Sequence, residues 1–227
     1  MEAASLRDGT AGTYRIAAFP TAARAIMPSV WQSIGASPDF GVELRLMEME
    51  PSHSIAALAA GEIELAVAHS YSNMPPIEGP GLIVKQIATE TVRLAVNDND
   101  WTGSGGGRVN LSDFAAHDWI VPSREWTCYD MVHRACDLAG FEPRAIAEAT
   151  DFRVQLALVA AGVGVALIPE LGAIDPPGGV SLLELESPIY RHIVLVSRRA
   201  PAADAGLVRI QEFIAAKAEA ALVDPGA

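Results

Sequence analysis

The side chains best placed to do chemistry in this sequence stand at turns that follow short apolar runs. Phe19-Pro20-Thr21-Ala22 closes the run that begins at Tyr14, and Thr21 falls where a helix starts. A helix N-terminus presents unpaired N–H groups and the positive end of the dipole, so it favours a carboxylate or another anion. The Thr21 hydroxyl adds a donor beside Pro20; the plainer alternative is a threonine that only caps its own helix. Ser52 and His53 open a second helix in the same way, and His69 and Ser70 end a third apolar run. A histidine on a ligand would make binding pH-sensitive, because its ordinary pKa is about 6.5. Ser123, Arg124 and Trp126 follow the run Trp119 to Val121. Arg124 suits a two-pronged hydrogen bond to a carboxylate, and Trp126 suits stacking on a ring. A surface arginine beside a core tryptophan is the competing reading. Phe152, in the first helical turn after Asp151, serves equally as cleft wall or as core.

Catalytic and metal-binding patterns are missing. The sequence has no G-x-S-x-G elbow, no H-E-x-x-H pair and no G-x-G-x-x-G after a strand. The glycine run Gly103 to Gly107 lacks the lysine and Ser/Thr of a phosphate cradle. His53, His69, His117, His133 and His192 show no metal-ligand spacing with the two cysteines. Cys128 and Cys136 fall on one predicted helix, about 12 Å apart along its axis and too far for a disulfide. Reduced thiols, no metal, no cofactor and no enzymatic activity are therefore expected. With Lys85 and Lys217 the only lysines, Schiff-base chemistry has few candidates.

The 227 residues are half hydrophobic, enough for a substantial core. A formal net charge of −12, with no basic cluster, argues against direct nucleic-acid binding by this chain. Met1 leads into EAASLRDG without the basic start and apolar core of a signal segment. No run approaches the roughly 20 apolar residues needed to span a bilayer. A cytoplasmic protein without a membrane partner is expected.

The elements that must position these residues follow from periodicity. Asp151 to Pro169, DFRVQLALVAAGVGVALIP, reads as a helix delivered into a strand by a glycine hinge. Asp151 is the N-cap. Val154, Ala157, Leu158 and Ala161 form one apolar face, with Leu156, Val159 and Ala160 opposite, so the helix should be buried nearly all round. Gly162 stops it, and Val163 to Ile168 is a strand covered on both faces and ended by Pro169. Earlier, Tyr14 to Phe19, Val42 to Met49 and Ile63 to Ala68 are strands, separated by helices after Thr21 and, capped by Ser52, over Ile55 to Ala60. That β-α-β-α-β run implies a parallel sheet with ligand-accessible turns at its carboxyl ends. Ile83 to Ala88 and Thr91 to Val96 are separate strands with a crossover at Thr89 and Glu90. Trp126 to Ala139 is a helix closed by Gly140, and Ile146 to Ala149 is a short strand. Val180 to Leu185 and Ile193 to Val196 follow, with a return crossover near Ser187 and Pro188. Leu207 to Ala220 is the closing helix.

The central stretch resembles the "lV.aG.Gv.llP" segment in the effector-binding domain of LysR-type transcriptional regulators. GTYRIAAFPTAARAIMP (Gly12 to Pro28) is similar to that domain's opening strand, ligand-binding turn and first helix. LAAGEIELAVAH (Leu58 to His69) is similar to its "l..G.lDlai" segment. All three occur in family order, and the similarity runs from about Gly12 to Ala216. The resemblance implies an α/β fold of two Rossmann-like lobes joined by two crossover strands, like a type 2 periplasmic binding protein. Lobe I would take 12–89 and 190–220, lobe II 90–189, with 1–11 a residual linker and 221–227 a disordered tail. The family's N-terminal winged helix-turn-helix is not expected within this chain. A Ser or Thr at the Thr21 turn commonly contacts the effector in the family, and a Thr or Ser also stands near Ser52. The implied function is sensing of a small organic anion held between the lobes by Thr21 and the Ser123 region. Binding would be coupled to lobe closure and to packing in a homodimer or higher homo-oligomer. A stand-alone solute-binding protein or an enzyme on the same scaffold is the alternative, since unrelated functions share folds.

Overall fold

Strand alternation sorts the first core into two faces. On β1 (Gly12–Ala18), Tyr14, Ile16 and Ala18 pack on one side of the sheet while Ala17 packs on the other. Leu65 and Val67 of β3 (Leu65–Tyr71) join the first side, and Ala66 and Ala68 the second. Both faces are therefore covered, as in a parallel sheet flanked by helices. The computed structural model describes residues 12–37, 40–101, 108–200 and 204–223. The expected lead-in at 1–11 and the glycine run at 103–107 lie outside them.

β2 (Val42–Glu48) and β3 flank β1 in parallel register, as the β-α-β-α-β reading requires. The first helix is broken: α1 (Pro20–Ala25) ends at Ile26, and α2 (Met27–Gly35) continues with Pro28 in its first turn. α3 (Pro51–Ala60) starts four residues before the expected Ile55, because Pro51 occupies its first turn and makes Glu50 the N-cap in place of Ser52. Gly61 ends it in the left-handed conformation, φ 76°.

The expected pair of strands around Thr89 and Glu90 is instead one 16-residue strand, β4 (Leu82–Asn97). Its antiparallel partner β10 (Ile189–Arg198) is likewise longer than expected and pairs with it over its whole length, Arg191 opposite Glu90. These two strands are the crossovers. Their outer halves belong to the first core, with β3 on the far side of β10. The other half of β4 enters a second core, where it pairs with β8 (Ala166–Pro169) and β9 (Val180–Leu185), the latter edged by β5 (Arg108–Val109). β6 (Asp118–Val121) and β7 (Arg144–Glu148) pair in parallel, and a Trp119–Val165 bridge ties β6 to the chain entering β8. α4 (Thr127–Leu138), α5 (Phe152–Ala160) and α6 (Ala205–Val223) complete the layers. α6 runs three residues into the expected tail and packs Ile210, Ile214 and Ala218 on the first core.

α5 keeps its Asp151 cap, whose carboxylate accepts from the Arg153 N–H at 2.8 Å, and Gly162 is left-handed at φ 73°. Its orientation differs from the expected one. Phe152, Gln155, Leu156 and Val159 face the core, whereas Val154 is 48 % exposed and Ala157 and Ala161 also face outward. A helix apolar on every side carries no amphipathic signal to set its rotation. The architecture is α/β, two lobes on a shared pair of long strands.

Candidate functional site

Five turns converge between the lobes, all at carboxyl ends of parallel strands, where open α/β sheets bind ligands. The turn after β1 brings Phe19, Pro20 and Thr21; the chain leaving β2 brings Glu48 and Glu50; β3 brings His69, two residues before its end. From the second lobe, Pro122 and Trp126 follow β6, and Thr150, Asp151 and Phe152 follow β7. They enclose a cavity of about 380 Å³, also walled by Arg24, Cys128 and Arg191.

The cavity floor is a buried ion pair on the crossover strands. Arg191, 1 % exposed, donates through Nε to Glu90 Oε1 at 2.7 Å and through an Nη to the Thr21 hydroxyl at 2.9 Å. The second Glu90 oxygen accepts from the Leu171 N–H at 2.7 Å. Burial by itself lowers the Arg191 pKa, but the Glu90 carboxylate more than offsets this and holds it above its ordinary value. Arg191 also lies over the Phe19 ring at 5.0 Å. Thr21 does not cap α1; its oxygen accepts from Arg191, which leaves its proton free to donate.

Glu50, 5 % exposed, reaches across the cleft. Its Oε2 accepts from the Thr127 hydroxyl at 3.0 Å and the Thr127 N–H at 3.4 Å, the first turn of α4. Burial raises the Glu50 pKa, more than these two donors lower it. His69 is 1 % exposed, edge-on to Phe19 at 4.6 Å, and its Nδ1 has no partner among the described residues. Burial, helped by the Arg191 charge, holds its pKa well below 6.5. Burial here thus favours the neutral ring.

The structure thus gathers Pro20, Thr21, His69, Trp126 and Phe152 around one cavity and leaves four predicted residues off its wall. Ser52 and His53 are exposed on α3, displaced by the earlier helix start. Ser123 turns its hydroxyl to Thr150 at 3.1 Å, and Arg124 lies over the Tyr129 ring at 5.5 Å. Sequence reasoning missed Glu50, Arg191 and Arg24. Proline at the first helical position was the available signal for Glu50. Arg191 meets its partners only through the pairing of strands about a hundred residues apart, and no local pattern announces that.

Cys128 lines the cavity and contacts the Tyr71 hydroxyl at 3.1 Å. Burial pushes its thiol up to about 11 and the buried Cys136 up to about 12, so neither is the thiolate that redox sensing requires. Among the described residues no group of three His, Cys, Asp or Glu could hold a metal, and no helix is long and apolar enough to cross a membrane.

Two α/β lobes on crossover strands, with a ligand-sized cleft between them, define a type 2 periplasmic-binding-protein-like domain. Residues 7–220 match the LysR substrate binding domain family. The chain belongs to that family, a regulatory sensing domain of transcriptional regulators and not an enzyme family. It is 28 % identical over 195 residues to the HTH-type transcriptional regulator ClcR of Pseudomonas putida, covering 81 % of this chain and 64 % of that protein. A hydrogen-peroxide-bound cysteine-to-serine mutant of Corynebacterium glutamicum OxyR superposes with a TM-score of 0.80 at 20 % identity, covering 98 % of this chain and 70 % of that one. The effector binding domain of QuiR in complex with shikimate superposes with a TM-score of 0.76 at 14 % identity, covering 92 % and 97 %. The chain spans about half the length of the curated regulators it matches.

Proposed function

We propose that this chain is the cytoplasmic sensor of a LysR-type regulator and holds a small organic effector in the cleft between its lobes. The observation that carries the reading is the 380 Å³ cavity walled from both lobes and floored by buried polar groups. The free Thr21 proton supplies a donor for an acceptor on the effector; a carboxylate there is the basis for expecting a small organic anion. The division into 12–89 with 190–220 and 90–189 is supported by the crossover of β4 and β10 at Glu90 and Arg191. An effector touching both walls binds the closed arrangement better than the open one, and only that difference can shift the equilibrium. In a homodimeric full-length regulator the shift re-spaces the DNA-binding heads.

Thermal unfolding against a panel of small organic compounds tests this. A ligand at about a hundred times its dissociation constant adds roughly 2.7 kcal/mol of stability. Thr21→Ala should weaken a hit that carries a carboxylate or another acceptor at least tenfold and, because Arg191 loses an acceptor, should itself cost about 1–3 kcal/mol. Thr21→Ser keeps the hydroxyl and should restore both. Acceptor-bearing hits whose affinity ignores Thr21 would remove this cavity from the reading.

A further inference from the structure

The charges around the cavity point to the class of molecule it takes, an inference that rests on the cleft being the effector site. Glu48, Glu50 and Asp151 all line it. Of the two guanidinium groups in the wall, Arg191 is already paired with Glu90, and Arg24 donates to the Leu171 carbonyl at 2.7 Å. A simple carboxylate entering here meets more negative charge than free positive charge, and in a confined site that opposition is poorly screened.

Two buried side chains here have hydrogen-bonding capacity to spare. Both Glu50 hydrogen bonds end on Oε2, and among the described residues it forms no ion pair, although the residue is only 5 % exposed and the Arg191 charge is its main nearby cation. A buried carboxylate without an ion-pair partner is an expensive arrangement unless a ligand completes it. Independently, the neutral His69 imidazole lines the same cavity with Nδ1 unpartnered. Trp126 and Phe152 add aromatic faces, whose electron density attracts a cation rather than an anion.

We propose that the effector carries a protonated amine, seated with its N–H donors on Glu50 and its hydrocarbon body against Trp126 and Phe152. The nitrogen supplies the missing counter-charge, while the Thr21 hydroxyl stays available for an acceptor elsewhere on the molecule.

Isosteric series of amine, carboxylate and amide test the assignment on the full chain: phenethylamine, phenylacetate and phenylacetamide, with butylamine, butyrate and butyramide. Binding is read by calorimetry and by the shift in unfolding temperature. The amine of at least one series should bind tenfold or more tightly than both partners, and Glu50→Gln should remove that advantage. Gln keeps an acceptor for Thr127, and the wild-type comparison between classes needs no variant at all. Glu43→Gln, on the exposed edge strand β2, should leave amine binding unchanged. A panel in which no amine outbinds its partners overturns the assignment. If a carboxylate binds and is lost with Thr21→Ala, the amine is wrong and the effector cleft stands. If bound compounds ignore both Thr21→Ala and Glu50→Gln, the cleft reading falls as well.

Discussion

At the scale of single residues, the site is a set of buried polar groups whose ionisation is fixed by burial and near neighbours. His69 is the clearest case. Its folded pKa lies well below the unfolded value of 6.5, so above pH 6.5 both states carry the neutral ring. As pH falls below 6.5 the unfolded chain takes up a proton that the folded chain refuses, and stability is lost. We therefore expect wild-type stability to decline below pH 6.5 more steeply than that of His69→Phe, which keeps the ring packing without the titration. Denaturant unfolding at a series of pH values checks this; parallel profiles for the two proteins would sink it. His69 was legible in the sequence as a candidate, standing at the end of an apolar run. Its burial was not, since that depends on Phe19 and Tyr71 closing over it. Glu50 was hidden differently, because Ser52, two residues further on, reads as the helix cap.

Secondary structure was more readable than the site, because periodicity is local while rotation and length are settled by packing. The glycine hinge at 162 and the parallel order of the first three strands are where the pattern puts them, whereas β3 runs on to Tyr71 and β8 starts only at Ala166 and includes Pro169. β4 reads as two strands because Thr89 and Glu90 interrupt the apolar run, and a buried glutamate inside a strand makes sense only once Arg191 is opposite. Close approach is equally invisible to pattern. A Cβ on Gly164 would stand 2.8 Å from the Asp118 carbonyl carbon, where the two segments exchange backbone hydrogen bonds through Val165. Gly164→Ala must push β6 from β8, and overpacking of this kind costs about 1–3 kcal/mol. A urea midpoint lowered with an unchanged slope is the expected result. No change in midpoint would mean the contact yields freely.

For the molecule as a whole, the two lobes are not beads on a linker. Every hydrogen-bonded register from β2 to β5 runs through β10 and β4, and each lobe draws on the same strand for its core. We expect one cooperative unfolding transition, with calorimetric and van't Hoff enthalpies in agreement. Two resolved transitions would show the lobes to be independent. The Arg191–Glu90 pair lies near one end of this shared ribbon, the third pair from it, and also touches Thr21 in the cavity. That coincidence bears on anyone wishing to retune the protein as a biosensor. On the proposed reading, substitutions at Arg191, Glu90 or Thr21 would alter recognition and the balance between open and closed forms together. Trp126, Phe152 and Glu48 wall the same cavity without joining the ribbon, so a new ligand preference is best sought there, and the ribbon kept for adjusting the threshold of response.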